Sequence, residues 1–209
     1  MENNTYAIIL AAGKGSRFHG QKQFLEFHGK KLWEHLYDTV SSVIPKSQIV
    51  VVGVDIKGGH TRSESVKIGL QWIYEKGNCN RVVIFEAART LVTKQQIEDI
   101  VDSTAKSVCF VKPVVDTVIL RDKTYLNRQD CLHLVSPQAF DFNLLYDAYS
   151  NCDLSEIRTD ETRLMNDVYG IKPTFLEGDD NLYKVTYPKD IAIIEEIYKE
   201  QNLKDNESK

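Results

Sequence analysis

The sequence lacks a long hydrophobic run. None of its apolar segments approaches the roughly 20 residues that a membrane-spanning helix requires. Its first five residues, Met-Glu-Asn-Asn-Thr, are polar and do not have the basic and apolar segments of a secretory signal. We therefore expect a protein that does not contact a membrane and that resides in the cytoplasm.

Cysteine is scarce and scattered. The four cysteines form no CxxC pair and no cluster with histidine, which argues against a zinc site. Cys109 and Cys131 lie among apolar residues, and we expect both to be thiols of the hydrophobic core.

No charge of one sign dominates the composition. The 26 basic and 30 acidic residues give a formal net charge of -4 at pH 7, so nothing predicts nucleic acid as a partner. Hydrophobic residues make up 42% of the 209 positions, which is ordinary for a globular chain. This length allows one substantial domain over residues 1–209.

Short apolar runs alternate with helical patterns along most of the chain. Strands are predicted at residues 7–10, 48–54, 81–86, 108–112 and 174–177. Helices are predicted at residues 31–43, 63–75, 93–106, 141–150 and 160–169, and from Pro188 onward. Such alternation predicts an α/β fold with a mainly parallel sheet that is covered on both faces.

Two regions depart from this alternation. Residues 117–140 contain two extended stretches around a polar middle, which predicts a hairpin or arm outside the main sheet. The final residues, 202–209, are polar and are expected to be disordered.

A glycine-rich turn follows the first predicted strand at residues 10–18, LAAGKGSRF. Backbone N–H groups of such a turn can bind phosphate. The spacing does not fit a P-loop, and Phe18 stands where a dinucleotide-binding loop has its third glycine. Arg17 and Lys22 beside the turn suit phosphoryl or nucleotidyl transfer, although by themselves they are equally compatible with solvated surface charges.

Motifs along nearly the whole chain resemble those of the 2-C-methyl-D-erythritol 4-phosphate and ribitol 5-phosphate cytidylyltransferases, a family of sugar- and polyol-phosphate nucleotidyltransferases. The matching segments are LAAGKGSRF (10–18), KQFLEFHGKKLWEH (22–35), GGHTRSESVKIGL (58–70), EAARTLVT (86–93), PVVDTV (113–118), SPQAF (136–140), TDE (159–161) and EGDDNLYKVTYPKDI (177–191). The resemblance implies a Rossmann-like, three-layer nucleotidyltransferase fold. It also implies a protruding β-arm, within residues 117–158, through which the chain forms a homodimer.

The same resemblance assigns roles to individual residues. The implied catalytic cations are Arg17, Lys22 and Lys184. The implied CTP-binding residues are Ala11, Ala12, Gly13, Gly15, Gly59, Arg62 and Ser65. The implied acceptor-binding residues are Arg89, Asp116, Thr117 and Arg158, and the implied Mg²⁺ site lies at Glu86 and Asn181.

Departures from the family pattern fall on the acceptor and metal side. Glu86 and Asn181 stand where the family has aspartate, and Asn151 stands where it has an arginine that acts in the partner subunit. We therefore expect CMP transfer from CTP to a polyol or sugar phosphate, with a ribitol 5-phosphate-like acceptor favoured. The alternatives are a catalytically impaired nucleotide-binding homologue and the 2-C-methyl-D-erythritol 4-phosphate enzyme of isoprenoid synthesis. A uridylyl- or guanylyltransferase on a related fold is a further possibility.

Overall fold

A computed structural model describes residues 4–153 and 160–207. Within these ranges the strands are β1 (Thr5–Leu10), β2 (Glu26–Phe27), β3 (Lys30–Lys31), β4 (Ile49–Val52), β5 (Arg81–Glu86), β6 (Ser107–Pro113), β7 (Leu132–Asp141) and β8 (Thr174–Glu177). The α-helices are α1 (Leu32–Ser41), α2 (Arg62–Lys76), α3 (Lys94–Asp102), α4 (Phe142–Asn151), α5 (Glu161–Tyr169) and α6 (Asp190–Glu207). β2 and β3 form a separate two-stranded sheet.

The main sheet has the strand order β4-β1-β5-β7-β6-β8. β1 pairs in parallel with β4 and β5, and β6 pairs in parallel with β8, whereas β7 is antiparallel to both of its neighbours. Five of the six strands therefore run in one direction. Leu10 at the end of β1 is level with both Val52 and Glu86, so the carboxyl ends of β4, β1 and β5 meet at one edge of the sheet.

Helices cover both faces of this sheet, as the sequence predicts. On one face, Ala7 and Ile9 of β1 belong to a buried cluster with residues of α1 and α3. On the other, Tyr6 and Ile8 belong to a buried cluster with residues of α2, α4 and α5. The run of apolar residues in β1 reflects this burial from both sides. The three-layer α/β fold is thus confirmed.

The arm prediction is wrong for the second half of residues 117–140. β7 is a ten-residue strand in the middle of the main sheet, between β5 and β6. Its pairing with β6 is irregular: Cys109 lies opposite Gln138, but the next residue, Phe110, lies opposite Val135. Ser136 and Pro137 are therefore bulged out, which lets the sheet accommodate a proline that has no N–H to donate.

The first half of that segment does form a small exposed hairpin, with Ile119 bridging to Tyr125. We use the name "arm" for residues 114–131. It carries several exposed apolar side chains: Val115, Ile119, Leu120, Tyr125 and Leu126.

Three smaller expectations also need correction. Cys109 is buried, but Cys131 is only partly buried because it lies at the end of the arm, outside the core. The helix expected at residues 93–106 ends at Asp102. Of the tail expected to be disordered, residues 202–207 belong to helix α6, which ends at Glu207, and residues 208–209 lie outside the described ranges. In the described part of the chain, no helix is long and apolar enough to cross a membrane.

Candidate active site

A cavity of about 350 Å³ opens at the carboxyl edge of β1 and β5. Its walls come from the glycine-rich turn after β1, the start of α2, the end of β5 and the segment before α6. Ligands of open α/β sheets characteristically bind at this edge, because the loops that follow the parallel strands converge there.

The backbone of the glycine-rich turn requires glycine at position 15. Gly15 has φ +60°, and a Cβ at this position would lie 1.8 Å from the carbonyl oxygen of Gly20. The turn is tied down from the other side by Gln23, a buried residue whose Nε2 donates to the carbonyl oxygen of Gly13 at 3.0 Å. The turn is therefore held in one conformation along the cavity wall.

A second loop, at Gly58 and Gly59, is held by the first turn of α2. The N–H of Gly59 donates to Ser65 Oγ at 3.1 Å, and Ser65 Oγ donates to the carbonyl oxygen of Thr61 at 3.0 Å. Thr61 caps the helix by accepting from the N–H of Glu64. The position of this loop thus depends on the position of the α2 N-terminus.

The cavity is rich in cations. Its basic lining residues are Lys14, Arg17, Lys22, Arg62 and Lys184. Among the described residues that line it, Glu86 is the one carboxylate. Five formal positive charges against one negative charge suit a polyanionic ligand such as a triphosphate.

Glu86 lies at the end of β5 and contacts three of the surrounding cations. Its Oε2 lies 2.8 Å from Lys184 Nζ, and its two oxygens lie 3.5 Å from the Nε atoms of Arg62 and Arg89. Burial opposes the charged carboxylate, but Lys184, Arg62 and Arg89 outweigh burial and lower the pKa of Glu86 to about 2. Glu86 is consequently ionised at neutral pH and holds these side chains together.

Lys22 comes from the short helical turn after the glycine loop and reaches the carbonyl oxygen of Val185. Burial and the neighbouring charges of Lys184 and Arg17 lower the pKa of Lys22. Arg17 is more exposed, and its guanidinium lies 5.9 Å from the centre of the Tyr187 ring. The three predicted catalytic cations therefore all line the same cavity.

Arg62, the first residue of α2, forms a two-pronged ion pair with Glu161 of α5. The Arg62 Nη1 and Nη2 atoms lie 2.6 and 2.9 Å from the two Glu161 oxygens. Tyr149 of α4 donates its hydroxyl to the same carboxylate at 2.8 Å. Burial opposes the charge on Arg62, but Glu161 outweighs it and raises the pKa of Arg62.

The predicted acceptor residues are only partly brought together. Arg89 donates to Ser136 Oγ at 2.9 Å and to the carbonyl oxygen of Leu182, and it contacts Glu86. Asp116 and Thr117 are exposed on the arm and do not line the cavity. Arg158 lies outside the described residues.

The metal expectation at Asn181 does not fit the geometry. Asn181 lies outside the cavity, where its side chain donates to Asp179 Oδ2 and accepts from Gln201 Nε2. Across the described ranges, no group of three histidine, cysteine or acidic side chains is placed to hold a metal ion. Glu86 is therefore the remaining candidate for the metal side of the site.

Sequence reasoning missed three residues that shape the site. Gln23 supports the glycine turn, Ser136 bridges Arg89 and Glu86 from the β7 bulge, and Glu161 holds Arg62. Each lies within a motif that resembles the family, but nothing local distinguishes a supporting side chain from its neighbours.

The backbone amides of the glycine-rich turn can bind phosphate, and the cations on the other walls of the cavity can neutralise its charge. Among the described residues that line the cavity, His60 and the paired Glu86 are the groups that could act as a base, and attack by a phosphate oxygen requires none. The fold and site thus define a nucleotidyltransferase. The chain belongs to the IspD family, 2-C-methyl-D-erythritol 4-phosphate cytidylyltransferase, whose family model matches residues 5–200.

Individual relatives agree with this membership. The chain is 31% identical to the 2-C-methyl-D-erythritol 4-phosphate cytidylyltransferase of Thermotoga neapolitana, over 93% of this chain and 96% of that protein. It is 30% identical to the enzyme of the same name from Caldicellulosiruptor bescii, over 92% and 96%. A solved structure, the 4-diphosphocytidyl-2C-methyl-D-erythritol synthase of Anaerococcus prevotii, aligns with a TM-score of 0.72 and 26% identity, over 90% and 95%.

Proposed function

We propose that this protein transfers CMP from CTP to the phosphate of 2-C-methyl-D-erythritol 4-phosphate and releases pyrophosphate. The names of the relatives support this acceptor and do not support the ribitol 5-phosphate acceptor that the sequence departures favoured. The supporting observation in this chain is the cluster around Glu86, where its ion pairs with Lys184, Arg62 and Arg89 join the nucleotide and acceptor sides.

In this proposal the triphosphate of CTP lies along the glycine-rich turn. The backbone N–H groups around Gly13 and Gly15 bind its oxygens, and Arg17 and Lys22 add positive charge. Ala12, Gly59 and Ser65 line the cavity and face the cytosine in this proposal, whereas Ala11 is 2% exposed and does not line the cavity. A Cβ at Gly59 would lie 2.3 Å from Glu64 Cβ, so the loop packs closely against α2. Gly59 also lines the cavity, and in this proposal its backbone contacts the base.

The reaction is a displacement at the α-phosphorus. An oxygen of the acceptor's phosphate monoester bonds to this phosphorus as the bond to the β-phosphate oxygen breaks, and the electron pair leaves with pyrophosphate. A phosphate monoester is already dianionic near neutral pH, so no base is needed. Lys22 and Lys184 reduce the repulsion between the two anions and stabilise the charge on the five-coordinate phosphorus.

The carboxylate of Glu86 is a suitable ligand for Mg²⁺ in this site. A single carboxylate with substrate phosphates is a usual Mg²⁺ environment, and Glu86 supplies that carboxylate. When bound, Mg²⁺ would neutralise triphosphate charge. Glu86 would then exchange part of its contact with Lys184 for the ion, which would leave the Lys184 ammonium free to contact phosphate.

We further propose a homodimer formed through the arm. Val115 and Tyr125 are 75% and 73% exposed, and an isolated two-stranded hairpin is a weak element by itself. A second copy related by a two-fold axis would bury these side chains. Sedimentation should give a dimer at micromolar concentration, and V115S/Y125S should give a monomer. L203S, which removes an exposed apolar side chain on α6, is the matched control and should remain dimeric.

The proposed acceptor is tested by pyrophosphate release from CTP across a panel of phosphates. Release is expected with 2-C-methyl-D-erythritol 4-phosphate and with at least about tenfold lower kcat/KM for ribitol 5-phosphate and glycerol 3-phosphate. Faster release with ribitol 5-phosphate would overturn the choice of acceptor. CTP binding without release from any acceptor would instead indicate an impaired homologue.

A further inference from the structure

We infer that Glu161 is a positioning residue for CTP recognition, acting through Arg62 to fix the loop that faces the cytosine. This inference rests on the proposed use of CTP. Glu161 is 1% exposed and begins α5, 99 positions after Arg62, and it does not line the cavity. Its influence on a bound nucleotide must therefore pass through another side chain.

The first step is the ion pair between Glu161 and Arg62. Both Nη atoms of Arg62 are used by the two carboxylate oxygens of Glu161, and Tyr149 donates to the same carboxylate. A two-pronged guanidinium–carboxylate pair fixes orientation as well as distance. Arg62 is thereby held in one position at the cavity wall, against α4 and α5.

The second step runs from Arg62 to the loop. Arg62 is the first residue of α2, next to the capping residue Thr61. The same turn of helix supplies Ser65, whose Oγ accepts from the N–H of Gly59 and donates to the carbonyl oxygen of Thr61. Fixing Arg62 therefore fixes the helix turn that holds Gly59.

The pair also controls where the charge of Arg62 acts. Arg62 Nε lies 3.5 Å from Glu86 Oε1, so without Glu161 the guanidinium would move toward Glu86 and the phosphates. Contacts to phosphates are common to all nucleoside triphosphates, whereas contacts from Gly59 depend on the base. Loss of Glu161 should thus weaken the binding of CTP and reduce the preference for CTP over UTP. The contacts to the triphosphate, which all nucleoside triphosphates share, should change less.

The experiment is direct titration of the full-length protein with CTP and with UTP, for wild type and E161Q. We expect the Kd for CTP to rise about tenfold in E161Q, as for loss of a charge-assisted contact, with little change in the Kd for UTP. Y149F removes one hydrogen bond to Glu161 and should shift the Kd for CTP in the same direction by about twofold to threefold. Y149F also provides the readout if E161Q does not fold.

A double-mutant cycle separates positioning from general stability. In an R62M background, E161Q should cause no further change in the ratio of the two Kd values, because Glu161 acts only through Arg62. D141A is the matched control, since Asp141 caps α4 by accepting from the N–H of Leu144 without touching Arg62. D141A should lower the melting temperature and leave both Kd values unchanged.

Unchanged CTP affinity in E161Q and Y149F would overturn the inference, as would an equal effect of E161Q in the R62M background. Wild-type protein that binds CTP but transfers to no acceptor would contradict the proposed reaction and leave the inference standing. Wild-type protein that does not bind CTP would overturn both.

Discussion

Lys184 Nζ lies 2.8 Å from Glu86 Oε2, so the lysine expected to act at the α-phosphate is paired with the one carboxylate among the described residues that line the cavity. Lys184 follows β8 and Glu86 ends β5, so this contact joins distant segments of the chain across the cavity. Glu86 thus forms ion pairs with Lys184, Arg62 and Arg89. A glutamate in place of the family's aspartate is suited to this, because its longer side chain reaches the surrounding cations.

Glu86 should make stability depend on acid pH. Its folded-state pKa of about 2 is below its usual 4.5, so its stabilising contribution is complete above about pH 4.5 and is lost as the pH falls toward 2. The shift corresponds to a contribution of about 3 kcal/mol at neutral pH. The free energies of unfolding of wild type and E86Q should differ by about this amount at pH 7. This difference should become smaller as the pH is lowered. A difference that is constant from pH 7 to pH 3 would contradict the pairing.

The glycine-rich turn should not tolerate a side chain at Gly15. G15A forces a positive φ on alanine and drives Cβ into the carbonyl oxygen of Gly20, with a strain on the order of 1–3 kcal/mol. The Kd for CTP in a titration should rise at least about tenfold because the N–H groups of the turn move. G20A is the matched control, since its Cβ would meet nothing within 4 Å and its φ is not positive. Equal CTP affinity in G15A and G20A would contradict a role for the turn.

Lys22 should matter for the chemical step more than for folding. K22M removes a positive charge beside the expected α-phosphate and should lower kcat about 100-fold in a pyrophosphate-release assay. Because the pKa of Lys22 in the free protein is lowered by burial, Lys184 and Arg17, kcat/KM should also decline on the alkaline side at a pH below 10.5. K30M, the same change at an exposed lysine paired with Asp38, should stay within about twofold of wild type. A kcat for K22M like that of K30M would exclude a catalytic role.

Asn181 should be dispensable for transfer. Its side chain contacts Asp179 and Gln201 outside the cavity, so N181A should keep kcat/KM within about threefold of wild type. Mg²⁺ titration of the activity should give the same midpoint for both proteins. A large rise of the Mg²⁺ midpoint in N181A would restore Asn181 as a metal residue.

The sequence predicted the parts of the fold that local patterns determine. β1 and β5 are continuous apolar runs, and α2 begins after a capping threonine, so their positions were found to within two residues. The extended stretch that forms β7 is predicted outside the main sheet, because Leu132–Asp141 mixes polar residues with a proline. Its place between β5 and β6 depends on tertiary pairing, which the sequence does not reveal. The bulge at Ser136 and Pro137 is what reconciles that sequence with the sheet.

The family motifs predict most of the residues that line the candidate site. They do not predict a role that depends on a contact between distant parts of the chain. Arg17, Lys22, Arg62 and Lys184 all reach the cavity as the motifs imply. The ion pair between Arg62 and Glu161 joins helices far apart in sequence, so no spacing could indicate it. Asn181 falls in a matching motif, yet the chain turns its side chain toward α6.

The most direct measurement of the central claim is ³¹P NMR of the products formed from CTP, Mg²⁺ and 2-C-methyl-D-erythritol 4-phosphate. Transfer of CMP predicts pyrophosphate together with a new pair of coupled signals from a diphosphate diester, in equal amounts and dependent on the protein. A spectrum that retains CTP and the acceptor monoester, or that shows only CTP hydrolysis to CMP and pyrophosphate, would contradict the account.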